Sequence, residues 1–169
     1  SVVVAADKEI AYKSFSSLDL SKASREQIIE RLLESGLWTM FVQRPYGVVA
    51  SPSDMPKAIF VSAFSTAPLA ASPEFTLQNE LANIQTAIDA LGKLTTDKEV
   101  HLSLNSANYS GTPFHKLNNV IVHTFTGKHP AGNVGVQIHH ISPIRKGETV
   151  WTVSLHMLAA IGKLFNTGK

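Results

Sequence analysis

The densest run of residues able to do chemistry is His123-Thr124-Phe125-Thr126-Gly127-Lys128-His129-Pro130-Ala131-Gly132. It follows an apolar triplet, Val120-Ile121-Val122, and precedes a helix-like segment from Asn133 to Ile141. Strand, loop and helix in that order set the loop at the carboxyl end of a strand, where open α/β sheets bind ligands. Glycine lets backbone approach a ligand closely, and free N–H groups at a helix start favour an anion. Lys128 and His129 add positive charge, so Lys128, His129 and Gly132 are the candidate binding residues. The same composition also serves an ordinary strand-to-helix turn, which needs Gly and Pro for geometry alone. Neither a G-x-G-x-x-G fingerprint nor a G-x-x-x-x-G-K-[ST] phosphate loop is present. Gly132-Asn133-Val134-Gly135 carries two glycines without either pattern.

Seven histidines stand out. His123, His129, His139 and His156 are candidates to converge on a metal, since imidazole is a common zinc ligand. No H-E-x-x-H spacing supports this, and the adjacent His139 and His140 would point about 100° apart on a helix. Structural histidines are the reading preferred, and no metal site is assigned. For hydrolysis, the G-x-S-x-G elbow is missing. Glu34, Asp54 and Glu74 are isolated carboxylates without the paired spacing of an acid–base couple. No catalytic residue is assigned. Trp38 and Trp151 read as core or interface residues rather than cofactor stackers.

The elements that must position these residues follow from periodicity. Val2 to Ala5 is a valine-rich run that reads as a strand, with Asp7-Lys8-Glu9 as a turn. Ser24 to Leu33 reads as a helix with a capping box, Ser24 answered by Gln27, and Gly36 as its left-handed cap. Gly36 to Pro56, rich in Gly, Pro and Ser, is expected to be mostly loop. Ala58-Ile59-Phe60-Val61 is a buried strand. Leu77, Leu81, Ile84, Ile88 and Leu91 mark the best amphipathic helix. Val100, Leu102 and Leu104 alternate as a strand, Thr149 to Val153 is a last strand, and Leu155 to Phe165 a last helix. Such alternation predicts an α/β, three-layer Rossmann-like domain, with a mostly parallel sheet and helices on both faces. Residues 1–20 are expected as an N-terminal extension or the end of a preceding domain, and 21–169 as the Rossmann-like domain.

The chain has 169 residues, 44% hydrophobic and 17% charged, enough for one domain with its own core. It has no cysteine, which excludes disulfides, thiolate metal sites and iron–sulfur ligation within it. A net charge of +2 gives no electrostatic case for nucleic acid. No apolar run nears the ~20 residues of a membrane-spanning helix. The start, without Met and without a basic n-region, reads as entry into a domain partway along a longer chain.

Several segments together resemble the NqrA family, one component of the bacterial sodium-translocating NADH:quinone reductases. They are Leu33-Glu34-Ser35-Gly36-Leu37-Trp38, Pro56-Lys57-Ala58-Ile59-Phe60-Val61, Ala67-Pro68-Leu69-Ala70 and, above all, Gly127-Lys128-His129-Pro130-Ala131-Gly132-Asn133-Val134-Gly135. Val150-Trp151 and Ala160-Ile161-Gly162-Lys163-Leu164-Phe165-Asn166-Thr167-Gly168 complete the set. That family is similar in turn to the flavin-binding subunit of respiratory complex I and to the RnfC component of the Rnf complex. In the complex I relative a glycine-rich FMN and NADH loop follows a Glu-Ser-Gly-Leu stretch. Here Trp38, Met40 and Phe41 stand in that place, and their bulk would occupy the space of a flavin phosphate. The resemblance therefore implies a central NqrA fragment in which the FMN/NADH site is lost, and which is not catalytic alone. NADH, FAD, FMN and iron–sulfur centres are expected on other subunits, and no cofactor on this domain. The family has been linked to quinone, so roles in assembly and quinone access are implied. A cleft near Trp38, Phe41 or Phe125 would suit a quinone ring, and those residues suit a core equally. The implied partners are the other subunits, especially the membrane-embedded NqrB, on the cytoplasmic side of the bacterial inner membrane. The alternative is a ligand-binding enzyme domain using the Lys128–Gly132 loop at a helix N-terminus.

Overall fold

A computed structural model describes residues 2–5, 8–9 and 11–169. Among them a six-stranded sheet runs in the order β2-β1-β6-β3-β4-β5. The strands are β1 (Val42–Arg44), β2 (Val48–Val49), β3 (Ile59–Ser62), β4 (Val100–Asn105), β5 (Ile121–Phe125) and β6 (Val150–Thr152). β6, β3, β4 and β5 are mutually parallel, while β1 is antiparallel to both β6 and β2. The helices are α1 (Arg25–Glu34), the single turn α2 (Pro73–Thr76), α3 (Leu81–Leu91), α4 (Val134–Ile141) and α5 (Leu155–Thr167). The mostly parallel α/β sheet with helices on both faces is the fold expected.

Local chemistry explains the helix ends. At α1, the Ser24 hydroxyl accepts from the Gln27 amide (3.3 Å) and the Gln27 side chain accepts from the Ser24 amide (3.0 Å). The box satisfies two otherwise orphaned donors, a contribution of about 1 kcal/mol. Gly36 follows at φ +78, the left-handed conformation that glycine adopts without penalty.

The helices divide unequally between the faces. α1, α3 and α5 bury Ile28, Leu32, Ile84, Ile88, Leu158, Ile161 and Phe165 in one large core with Ile59, Val61, Leu102 and Leu104 of the sheet. α4 alone covers the other face, where Ile138 packs in a small cluster with Ala58, Phe60 and Val150. The α3–α5 seam is close: a Cβ added to Gly162 would overlap the Asn83 backbone carbonyl.

Two local expectations change, and a third gains detail. Val2–Ala5 forms no strand, and its valines are 83 to 92% exposed. A valine run favours extended backbone, but strand pairing needs a neighbour, and none of the described residues supplies one. The turn expected beside it includes Asp7, outside the described residues. The stretch from Gly36 to Pro56 is mostly turn and irregular backbone, as expected, but it also holds a 3-10 turn (Leu37–Met40) that leads into the β1–β2 hairpin, which extends the sheet beyond β6. β5 runs on to Phe125, so His123 to Phe125 belong to the strand and not to the loop. Residues 15–20 lie along the α5 end. The Phe15 amide donates to Gly168 O (3.3 Å), and the Leu18 amide to Phe165 O (2.9 Å).

Candidate functional site

The chain passes from β3 through β4 to β5 on one side, then returns by α4 to place β6 on the other side of β3. The reversal leaves a crevice at the carboxyl ends of β3 and β6, the position where open α/β sheets hold ligands. It encloses about 690 Å³. Ser62 ends β3, Thr152 to Ser154 end β6, and Asn133 to Val136 open α4. Met157 comes from the first turn of α5, while Met40, Val42 and Arg44 come from the hairpin side.

The walls are largely apolar, with Met40, Val42, Val134, Val136, Val153 and Met157. The polar groups are Arg44, Ser62, Asn133, Thr152 and Ser154, and no carboxylate lines the crevice. Arg44 is half-buried and its Nε has no hydrogen-bond partner. Asn133 caps α4 without a side-chain hydrogen bond, so the Val134 and Gly135 end of the helix meets the crevice with its positive pole uncovered. Ser154 caps α5 by accepting from the Met157 amide (3.3 Å). Apolar walls, one cation and polar hydrogen-bonding groups suit a flat ring carrying oxygen acceptors.

Of the three candidates in the Lys128–Gly132 loop, Gly132 lines the crevice; Lys128 and His129 lie on the exposed part of the loop. The loop amides are largely used within the fold. Ala131 N–H donates to Lys128 O (2.9 Å), Asn133 N–H to Pro130 O (2.8 Å) and Gly132 N–H to the Thr66 hydroxyl (3.0 Å). A Cβ on Gly132 would sit 2.6 Å from the Thr66 amide nitrogen. This glycine therefore lets the loop after β5 pack against the loop after β3.

Trp38, Phe41 and Trp151 form an aromatic group in the large core, with ring centroids 5.1, 5.4 and 6.0 Å apart. All three are buried, and Trp38 Nε1–H donates to Ala50 O (2.8 Å). They are core residues. Met40, from the same short turn, stays half out and lines the crevice.

The four histidines considered for a metal are held separately. His123 pairs with His101, His129 Nδ1 is 3.3 Å from the Thr66 hydroxyl, and His156 Nε2 is 2.9 Å from the Thr76 hydroxyl. His139 packs edge-on against His140. Among the described residues no group of three or more His, Asp or Glu side chains could hold a metal ion.

The His101–His123 pair was not singled out by sequence. His101 Nδ1 lies 3.0 Å from His123 Nε2, and its ring stacks on Phe60 with centroids 4.5 Å apart. Glu99 lies 3.7 Å from His101 Nε2. The carboxylate favours a proton on that nitrogen, which leaves Nδ1 to accept from His123 Nε2–H. Burial pushes the His101 pKa down, and the His123 charge adds to this, with Glu99 opposing. Burial also lowers His123. One signal could have found the pair: Val100, Leu102 and Leu104 claim one face of β4, which turns His101 and Ser103 to the other.

Comparison with known proteins decides the family. The model of the NqrA second alpha/beta domain matches residues 23–169. The chain belongs to that family. The NqrA component of the Na(+)-translocating NADH-quinone reductase of Haemophilus influenzae (strain PittGG) is 39% identical over 166 residues, covering 98% of this chain and 37% of the relative. The corresponding component from Saccharophagus degradans is 36% identical over 163 residues, covering 96% of this chain and 36% of its own length. The chain thus spans little more than a third of these relatives. As an NqrA second α/β domain, it contains no helix long and apolar enough to cross a membrane among its described residues.

Proposed function

We propose that this NqrA domain serves a sodium-pumping NADH:quinone reductase as a docking and quinone-access domain, with the FMN/NADH site of the wider superfamily lost. It works peripherally on the cytoplasmic side of the bacterial inner membrane, against the other subunits and the membrane-embedded NqrB in particular. NADH, FAD, FMN and iron–sulfur centres reside on those other subunits. The relatives, which are components of such reductases, support the assignment to this reductase.

The observation that carries quinone access is the crevice, whose apolar walls and lone Arg44 offer a ring slot with a cationic donor for a quinone oxygen. Beside apolar walls, a charge-assisted hydrogen bond from the guanidinium is stronger than the same bond in open water. The packing of Trp38 and Phe41 against Trp151 supports the loss of the flavin site, because two of the three bulky residues in that place are part of the core.

Gly135 gives a clean test. A Cβ there meets nothing within 4 Å, and the residue lines the crevice at the start of α4. Gly135→Trp should fill the slot while the helix gains propensity over glycine. In the intact reductase, the quinone KM should rise about tenfold or more, a loss of ~1.4 kcal/mol in binding. An unchanged KM rejects quinone access through this crevice. Micromolar binding of FMN or NADH to the domain would reject the lost-site half of the reading.

A further inference from the structure

The chain has four arginines, and the fold treats one of them unlike the rest. Arg145 is exposed, while Arg25, Arg31 and Arg44 are half-buried. A half-buried guanidinium is normally given acceptors, and two of these three have them. Arg25 donates to Pro52 O (3.3 Å) and Asp54 O (2.7 Å). Arg31 donates to Ser16 O and to the Ser16 hydroxyl (3.5 Å). Arg44 has no acceptor for its guanidinium among the described residues. It takes part in none of their ion pairs, and its Nε is covered and unpaired.

A donor drawn partly out of water without an acceptor loses hydration and gains nothing in return. The deficit is relieved when a ligand brings the acceptor. Arg44 lines the crevice at the carboxyl ends of β3 and β6, where no carboxylate balances its charge. A neutral carbonyl oxygen would accept a hydrogen bond there and leave the charge standing. An ionised oxygen does both, and hydrogen bonds between two charged partners are the stronger kind. The walls limit the choice further. Met40, Val42, Val134 and Met157 offer hydrocarbon and thioether to whatever enters. A small hydrated anion gains nothing from them, whereas a flat ring covers them. Arginine suits such a ligand better than lysine would, being more weakly hydrated and able to stack on a ring face.

We propose that the crevice selects a flat ring carrying an ionised oxygen, an acidic hydroxyquinone in chemical class, and that Arg44 determines this specificity. The inference rests on the quinone reading above and narrows it: among rings of one shape, charge decides which is held. An acidic hydroxyquinone would thus occupy the crevice in competition with a neutral quinone.

The test titrates full-length NqrA with two rings of nearly the same shape. One is lawsone, a hydroxynaphthoquinone ionised at neutral pH; the other is its methyl ether, which carries no charge. Lawsone should bind about tenfold more tightly to the natural protein. Arg44→Gln keeps a donor and removes the charge, so it should erase the difference by weakening lawsone alone. Arg44→Lys keeps the charge and should retain most of it. Rising salt should shrink the difference in the natural protein, a readout that needs no variant. Gly135→Trp, which fills the crevice, should weaken both rings.

Equal affinities for the two rings overturn the proposal. So does a preference that survives Arg44→Gln, or lawsone binding untouched by Gly135→Trp, which would put the ligand elsewhere. Displacement of lawsone by millimolar inorganic phosphate would make the crevice a simple anion site and overturn it as well. If both rings bind equally and Gly135→Trp blocks them, charge selection alone falls. If neither ring binds, the quinone reading falls with it.

Discussion

The two faces of the sheet are built to different standards. On one, α1, α3 and α5 close a large apolar core against Ile59, Val61, Leu102 and Leu104. On the other, α4 alone covers β3 and β6, and buried or half-buried polar groups replace hydrocarbon: Ser62, His101, Ser103, His123, Gln137 and Thr152. Burial of apolar surface supplies most folding free energy, at roughly 25 cal/mol per Å². Polar groups bring little net stability and must be paired to avoid a penalty. The first face therefore sets stability. The second tolerates polar groups and an open crevice.

The largest expected effect is on the first face. Gly162→Ala forces a Cβ into the Asn83 backbone at the α3–α5 seam, where no side-chain rotation can relieve the clash. The two helices must separate, at a cost of about 3 kcal/mol or more. Thermal unfolding of the domain should show a large fall in Tm. If the variant melts within two or three degrees of the natural chain, roughly the shift produced by 1 kcal/mol in a domain of this size, the seam is looser than its geometry implies.

A smaller effect is expected on the second face. Gln137 is fully buried, and its amide donates to Ser62 Oγ (3.0 Å) and to Ala131 O (3.2 Å), while its own Oε1 has no partner. Gln137→Leu strips two acceptors of a donor but removes one orphaned oxygen, so the net loss should be about 1 kcal/mol. Because Ser62 lines the crevice and Gln137 orients it, the proposed quinone access predicts a larger shift in the quinone KM of the reductase than in stability. Equal falls in stability for Gln137→Leu and Gly162→Ala, compared by denaturant midpoint, would erase the contrast between the faces.

The same contrast decides what was legible. Elements of the closed face announce themselves, because apolar periodicity is the signature of burial: α1 with its Ser24–Gln27 box, α3 (though it starts at Leu81, and the expected Leu77 caps α2 instead), β3 and β4, and α5 with Leu158, Ile161 and Phe165. The crevice is different. Met40, Arg44, Ser62, Val134 and Met157 come from five separate segments, and only topology brings them together. Nothing in their spacing marks them. Lys128 and His129 carried the local signal of a binding loop, yet of that loop's candidates it is Gly132 that reaches the crevice. The β1–β2 hairpin was hidden for a related reason: its strands are three and two residues long, and pairing with Val150, Trp151 and Thr152 creates β1. Val2 to Val4 erred the other way, with strand propensity and no partner.

The subtlest test concerns acid. In the folded chain His101 and His123 both have pKa values below the ordinary ~6.5, through burial first and, at His101, the neighbouring imidazole. The unfolded chain therefore binds protons that the folded chain refuses. Stability contributed by the neutral pair is fully present above about pH 6.5 and is lost as pH falls below it toward the lowered folded values. The groups facing the pair shape this loss. Glu99 favours the charged form of His101, and Phe60, stacked on its ring, offers no hydrogen bond to replace one lost. Two protons on the pair would leave both nitrogens of the 3.0 Å contact as donors, and the bond between β4 and β5 side chains would break. Melting curves from pH 7.5 to 5 should accordingly fall more steeply for the natural chain than for a His101→Gln, His123→Gln double variant, whose amides do not titrate. The two profiles should run parallel above pH 6.5 and converge below it. Parallel profiles throughout would mean that the second face carries its histidines without an acid penalty, and that its polar groups are better solvated than their burial suggests.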